Sequence, residues 1–185
     1  TPIQTVTIPL DRREQVLQRI ATNCREGKQA YWVCTLVEQS ETLDAQAAEA
    51  TYQEIKDRFP DVNIGLVHGK MKANEKQAVM QAFKDNQLQL LIATTVIEVG
   101  VDVPNASIMV IENAERLGLS QLHQLRGRVG RGATASFCAL LYKAPLSQNG
   151  QERLSILRES NDGFVIAEKD LKIRGPGELL GTKQT

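Results

Sequence analysis

The sequence predicts an α/β fold: a parallel sheet with helices on both faces, followed by a small C-terminal helical hairpin and loop. Three observations predict it. Short apolar runs of strand length alternate with longer amphipathic stretches up to Pro145, and glycines, prolines and capping residues fall between them. Beyond Pro145 the pattern changes to two short helical stretches and a glycine-rich tail.

Thr5-Val6-Thr7-Ile8 alternates as a short strand, and Asp11 with Glu14 has the spacing of a capping box ahead of Val16, Leu17 and Ile20. Gly27 closes that helix. Ala30-Tyr31-Trp32-Val33-Cys34 is apolar throughout, as a strand buried on both faces must be. From Leu43 to Phe59 strong helix formers run uninterrupted to Pro60, which predicts a crossover helix. The scheme then repeats: a strand from Val62 to Val67, a helix capped by Asn74 with Val79, Met80 and Phe83 on one face, and a strand from Leu88 to Ala93. Ser107 to Glu112 is a further strand, Leu119 to Arg126 a helix, and Ser136 to Leu141 the last strand. Gln151 to Ser160 and Asp162 to Lys172 read as short helices before the loop from Gly175 to Gly181. The boundaries are therefore 1–145 for the sheet domain and 146–185 for the hairpin and loop.

With 185 residues the chain can bury one sizeable core. No apolar run approaches the roughly 18 to 20 residues of a membrane span. The chain opens Thr1-Pro2-Ile3 with no initiator Met and no secretory leader, so it is expected to be an excised fragment of a cytoplasmic protein. Cys24, Cys34 and Cys138 lack the spacing of a zinc or redox site, so they are expected to be buried thiols and no metal site is expected. His68 and His123 are isolated and expected to be structural. Formal net charge is zero, yet from Arg116 to Lys143 there is no Asp or Glu while Arg116, Arg126, Arg128, Arg131 and Lys143 accumulate. That stretch calls for an anion.

Gln124-Leu125-Arg126-Gly127-Arg128-Val129-Gly130-Arg131 sets three arginines beside glycines that let backbone approach a ligand. The guanidinium fork donates paired hydrogen bonds to phosphate oxygens and keeps its charge; an isolated Arg-Gly-Arg is more often a solvated turn. Upstream, Leu91 to Pro104 runs from a buried strand into a polar turn holding Thr94, Thr95, Gly100 and Asp102, where hydroxyls and a carboxylate are expected to emerge together at a strand's carboxyl end. Taken singly, those polar residues would be capping and turn residues.

These two stretches resemble motifs V and VI of superfamily 2 helicases, and Val67-His68-Gly69-Lys70-Met71 with Val79 to Phe83 is similar to the second RecA-like domain of that superfamily. The resemblance implies that Arg128 and Arg131 are catalytic arginine fingers facing a triphosphate bound to the partner domain. It also implies that Gln124, Gly100 and Asp102 bind the nucleotide, and that Thr94 and Thr95 contact the DNA backbone. There is no Gly-x-x-x-x-Gly-Lys-Ser/Thr and no Asp-Glu pair after a buried strand. ATP and Mg2+ would accordingly be held mainly by a first motor domain upstream, and the fragment alone is expected to be inactive.

The tail from Arg153 through Asp162-Gly163-Phe164 to Arg174-Gly175-Pro176-Gly177-Glu178-Leu179-Leu180-Gly181-Thr182-Lys183-Gln184 resembles the translocation motif shared by the RecG and Mfd families. The Gly-Pro-Gly of the tail and the segment Gln29 to Leu36 favour RecG. That family resemblance implies an ATP-dependent double-stranded DNA translocase, a monomer in the bacterial cytoplasm and associated with the nucleoid. It would remodel stalled replication forks and Holliday junctions in DNA repair and recombination, with a separate wedge domain splitting the strands. Arg174, Glu178 and Gln184 would couple hydrolysis to movement. An Mfd-like transcription-repair coupling translocase and a non-catalytic RecA-like DNA-binding module are the alternatives.

Overall fold

A computed structural model describes residues 3–35, 40–94, 103–130 and 135–160. Its strands are β1 (Ile3–Pro9), β2 (Gln29–Cys34), β3 (Ile64–Val67), β4 (Leu90–Thr94), β5 (Ala106–Glu112) and β6 (Ser136–Tyr142). They form one sheet in the order β1-β6-β5-β2-β4-β3, and every pairing is parallel. Helices α1 (Arg13–Arg25), α2 (Glu41–Arg58), α3 (Ala73–Lys84), α4 (Leu119–Arg126) and α5 (Gln148–Glu159) make the layers on either side. This is the sheet covered on two faces that the alternation predicts.

Two cores follow from the period of a strand, because successive side chains point to opposite faces. Tyr31 and Val33 of β2, with Leu91, Ala93, Met109, Ile111, Cys138 and Leu140, pack under α3, α4 and α5. Their sequence neighbours Ala30, Trp32 and Cys34, with Leu90, Ile92, Ile108 and Val110, pack under α1 and α2. All six residues of β2 are buried, which explains a strand without a single charged residue. Leu154 and Leu157 bring α5 into the first of these cores, so the segment after Pro145 is anchored directly on the sheet. The second helix of the hairpin and the tail lie outside the described residues.

Helix starts depart locally from the capping pattern. Asp11 sits in a 3-10 turn (Leu10–Arg12), and α1 begins at Arg13 without a side-chain cap. The capping box fails because the Glu14 carboxylate accepts from Arg58 of α2 instead of turning back on its own backbone. Asn74 likewise falls inside α3 rather than at its cap; the Glu75 carboxylate accepts the backbone N–H of Lys72 at 3.1 Å and starts the helix there. Gly27 does close α1, with φ at 96°, a region that favours glycine.

Candidate functional site

Helix α4 leads into the arginine-rich stretch, and its packing decides which arginine is available. Leu119, Leu122 and Leu125 face the sheet, and Arg126 follows on the same buried side. Beyond the helix the chain tightens, with Arg128 N–H donating to the Leu125 carbonyl and Val129 N–H to that of Arg126. Val129 is buried, and Gly130, at φ 85°, passes so close to β1 that a Cβ there would stand 2.7 Å from Ile3. Only glycine fits this approach. The half-buried Arg128 is therefore held between two fixed points, and Gln124 is exposed one turn before it. The two thus stand about one turn apart along the chain; Arg131 lies outside the described residues.

Arg126 is not part of the exposed basic surface that the run of arginines suggests. It is 2% exposed. One of its terminal nitrogens donates to the Leu157 carbonyl of α5 at 2.6 Å and to the Thr5 hydroxyl of β1 at 3.3 Å, and the other meets Nδ1 of His123 at 3.1 Å. None of these partners is a carboxylate. Burial pulls its pKa below the ordinary arginine value, yet an arginine remains charged in any protein interior. A full positive charge thus stands under the turn that carries Arg128, and the same side chain ties α4 to β1 and α5. His123 takes the structural role expected of it. Sequence reading missed the anchor, although Leu119, Leu122 and Arg126 mark one helical stripe.

Of the remaining candidates Thr94 alone is among the described residues. Thr94 closes β4 at its carboxyl end, in register with Cys34, and is 2% exposed. A contact from its hydroxyl to a backbone phosphate requires this strand end to open. Val103, the residue after Asp102, lies instead at the amino end of β5, where its carbonyl accepts from Ala106. Gly130 is at that end as well, beside Ile3 and Ser136, which begin β1 and β6. Thr94 and Val103 thus stand at opposite ends of strands up to seven residues long, roughly 20 Å apart. Of the residues expected to emerge together at a strand's carboxyl end, Thr94 alone is among the described residues. Thr95, Gly100, Asp102, Arg174, Glu178 and Gln184 lie outside the described residues.

A second arginine centre, also missed, occupies the α1–α2 face. Arg13 donates to both oxygens of Glu54 at 2.8 and 2.9 Å and to Glu112 at 3.1 Å, and lies over the Trp32 ring 5.5 Å from its centroid. Trp32 Nε1 also donates to Glu112, at 2.6 Å. Burial opposes the charge of Arg13, but the hydrogen bond to Glu54 and the charge of Glu112 outweigh it and raise its pKa. All three cysteines are buried, and burial pushes their thiols up to about 12, so they are inert as nucleophiles. His68 Nε2 pairs with Glu49 at 3.1 Å, again a structural contact.

The Helicase conserved C-terminal domain family matches residues 11–133, and the C-terminal part of domain 3 of ATP-dependent DNA helicase RecG matches residues 160–185. The chain is 69% identical over 186 residues to ATP-dependent DNA helicase RecG of Escherichia coli (strain K12), an alignment covering 100% of this chain and 27% of that protein. It therefore spans about a quarter of the length of the curated relatives it matches. A solved structure of RecG bound to a three-way DNA junction superposes with a TM-score of 0.81 at 42% identity, covering 97% of this chain and 23% of that one. The C-terminal domain of the DEAD-box protein Dbp5 shares the fold, with a TM-score of 0.64 at 16% identity over 92% of this chain and 97% of that domain.

Proposed function

The chain belongs to the helicase conserved C-terminal domain family, and from that premise we propose that it is the second RecA-like motor half of a RecG-type, ATP-dependent double-stranded DNA translocase. In this proposal the whole protein remodels branched DNA, stalled forks and Holliday junctions among it, as a monomer associated with the bacterial nucleoid. The observation that carries the proposal is the pinned arginine turn. A donor-only, permanently charged side chain fits phosphate oxygens and has nothing to offer a metal ion. ATP and Mg2+ are accordingly held mainly by a first motor domain of the same polypeptide, and the isolated chain does not turn over ATP.

ATP supplies the phosphoryl group whose transfer drives the motor. What this chain adds is positive charge placed where the leaving phosphate builds negative charge. Arg128 and Arg131 contribute it directly, Gln124 orients beside them, and Gly100 with Asp102 lines the nucleotide near its ribose. Fixing the turn between Arg126 and Gly130 means that little reorganisation is needed at the moment of reaction. Thr94, at the carboxyl end of β4, and Thr95 meet the DNA backbone, a contact that positions duplex without reading its sequence. Arg126 ties the arginine turn to α5, so a shift of the turn is passed toward the segment holding Arg174, Glu178 and Gln184.

The wedge domain that splits strands belongs to the rest of the polypeptide in this reading. Resemblance of residues 160–185 to RecG domain 3 supports the RecG reading over an Mfd-like one. The test uses the full-length protein with Gln184→Ala or Arg174→Ala, measuring ATP hydrolysis and unwinding of a three-way junction side by side. Retained hydrolysis with impaired unwinding is the expected result; proportional loss of both, or no change in either, contradicts the coupling.

A further inference from the structure

On the face covered by α1 and α2 the strands β1 and β6 are less fully covered than the centre of the sheet. Helix α1 packs on β2, and α2 on β3 and β4. Val6, Ile8 and Phe137 of the edge pair β1 and β6 are left only partly buried. Between this flank and α1 runs a trough of about 510 Å³. Its floor is aliphatic with one aromatic ring, formed by Ile8, Val16, Ile20, Ile108, Phe137 and Ala139.

The rim is selectively cationic. Arg12, Arg19 and Lys28 line it, and no Asp or Glu does among the described residues. Elsewhere on α1, Arg13 and Arg25 are paired with carboxylates, whereas these three have no such partner among the described residues. Ser107 lies in the trough as well, 3% exposed, and its hydroxyl has no hydrogen-bond partner among the described residues. A buried polar group in that state is destabilising until something bonds it. Apolar floor, cationic rim and a hydroxyl without a partner among the described residues are three separate signs of a missing occupant.

We propose that the trough docks an acidic segment of a partner protein, with apolar side chains of that segment seated on the sheet flank and its carboxylates facing Arg12, Arg19 and Lys28. The shape selects a peptide over a single phosphate group. Arg12 immediately precedes α1 and Arg19 lies about two turns along it, about 10 Å away, and Lys28 lies beyond the helix, so the charges form a line and do not converge on one point. Nucleic acid fits the floor poorly, since base recognition on single strands relies on aromatic stacking and this floor is mostly aliphatic. A separate partner also fits better than a permanently attached cover. Small apolar cores ringed by exposed charge are typical of interfaces that form and dissociate, while permanent ones are more apolar.

The experiment uses the full-length protein and a short fluorescein-labelled peptide of alternating aspartate with leucine and phenylalanine, followed by anisotropy. Saturable binding is expected, weakened roughly tenfold by Arg19→Glu combined with Lys28→Glu. ATP hydrolysis of that variant should be unchanged, because neither residue belongs to the proposed motor site. Replacing the leucines and phenylalanines by serine should abolish binding at equal charge. The proposal is overturned if the full-length protein does not bind the peptide, if the serine peptide binds equally well, if charge reversal has no effect, or if a duplex oligonucleotide displaces the peptide from the trough.

Discussion

Two arginine centres, one on each face of the sheet, are built in opposite ways. Arg13, between α1, α2 and the end of β5, is matched by two carboxylates and an aromatic face. Arg126, between α4, α5 and β1, is more deeply buried and meets a carbonyl, a hydroxyl and an imidazole. The first is a neutralised structural clamp. The second has no carboxylate partner among the described residues and stands beneath the turn carrying Arg128, which suits a region expected to face a polyanion. A carboxylate placed beside Arg126 would make it easier to bury but would cancel part of the field that the neighbouring turn presents.

The largest effect should come from breaking the uncompensated centre. Arg126→Ala leaves the Leu157 carbonyl and Thr5 without their donor and opens a cavity, so we expect a loss of about 3 kcal/mol in unfolding free energy. Chemical denaturation of the fragment reads this directly. Arg126→Lys should recover only part of the loss, because one ammonium cannot span α5, β1 and His123 together. Full stability in the alanine variant would mean that the anchor is dispensable.

A smaller loss is expected at the neutralised centre. In Arg13→Met, Glu112 retains its bond from Trp32 and Glu54 is partly exposed, so about 1–2 kcal/mol should be lost. Denaturation of Arg13→Met beside Arg126→Ala sharpens the comparison; a greater loss from Arg13→Met would reverse its order.

The smallest effect belongs to the exposed pair Arg25–Asp61, at 2.5 Å. Its hydrogen bond from Arg25 holds the Asp61 carboxyl below the ordinary aspartate value. A carboxyl lowered in the folded state stabilises above its unfolded pKa, and the benefit disappears as pH falls through the folded one. Asp61→Asn should therefore lower Tm slightly at neutral pH, and the gap to the unmodified protein should close in acid. A gap that widened on acidification would have the wrong sign for this account.

Much of the fold was legible because parallel strands buried on both faces leave unbroken apolar runs; β2 and β5 show this most clearly. The bounds of α4, Leu119–Arg126, follow from Gly118 and Gly127 on either side. Legibility failed where a contact joins distant parts of the chain. Nothing local at Arg13 indicates that Glu112, 99 residues away, will share its charge, and the Glu14 carboxylate is drawn from its expected capping role by Arg58, 44 residues on. Arg126 was legible by spacing but misread by type, since a run of arginines suggests surface. The division of candidate residues between the two sheet ends is topological, and only the strand order reveals it.

In the role proposed for the pinned turn, Arg128 delivers charge to ATP hydrolysis. The direct test is Arg128→Ala in the full-length protein, measuring DNA-stimulated kcat alongside Kd for a non-hydrolysable ATP analogue. A fall in kcat on the order of a thousandfold, with Kd changed by no more than about threefold, is what an arginine acting on transition-state charge produces. An unchanged kcat, or a Kd that weakens in proportion to the lost activity, would contradict the claim.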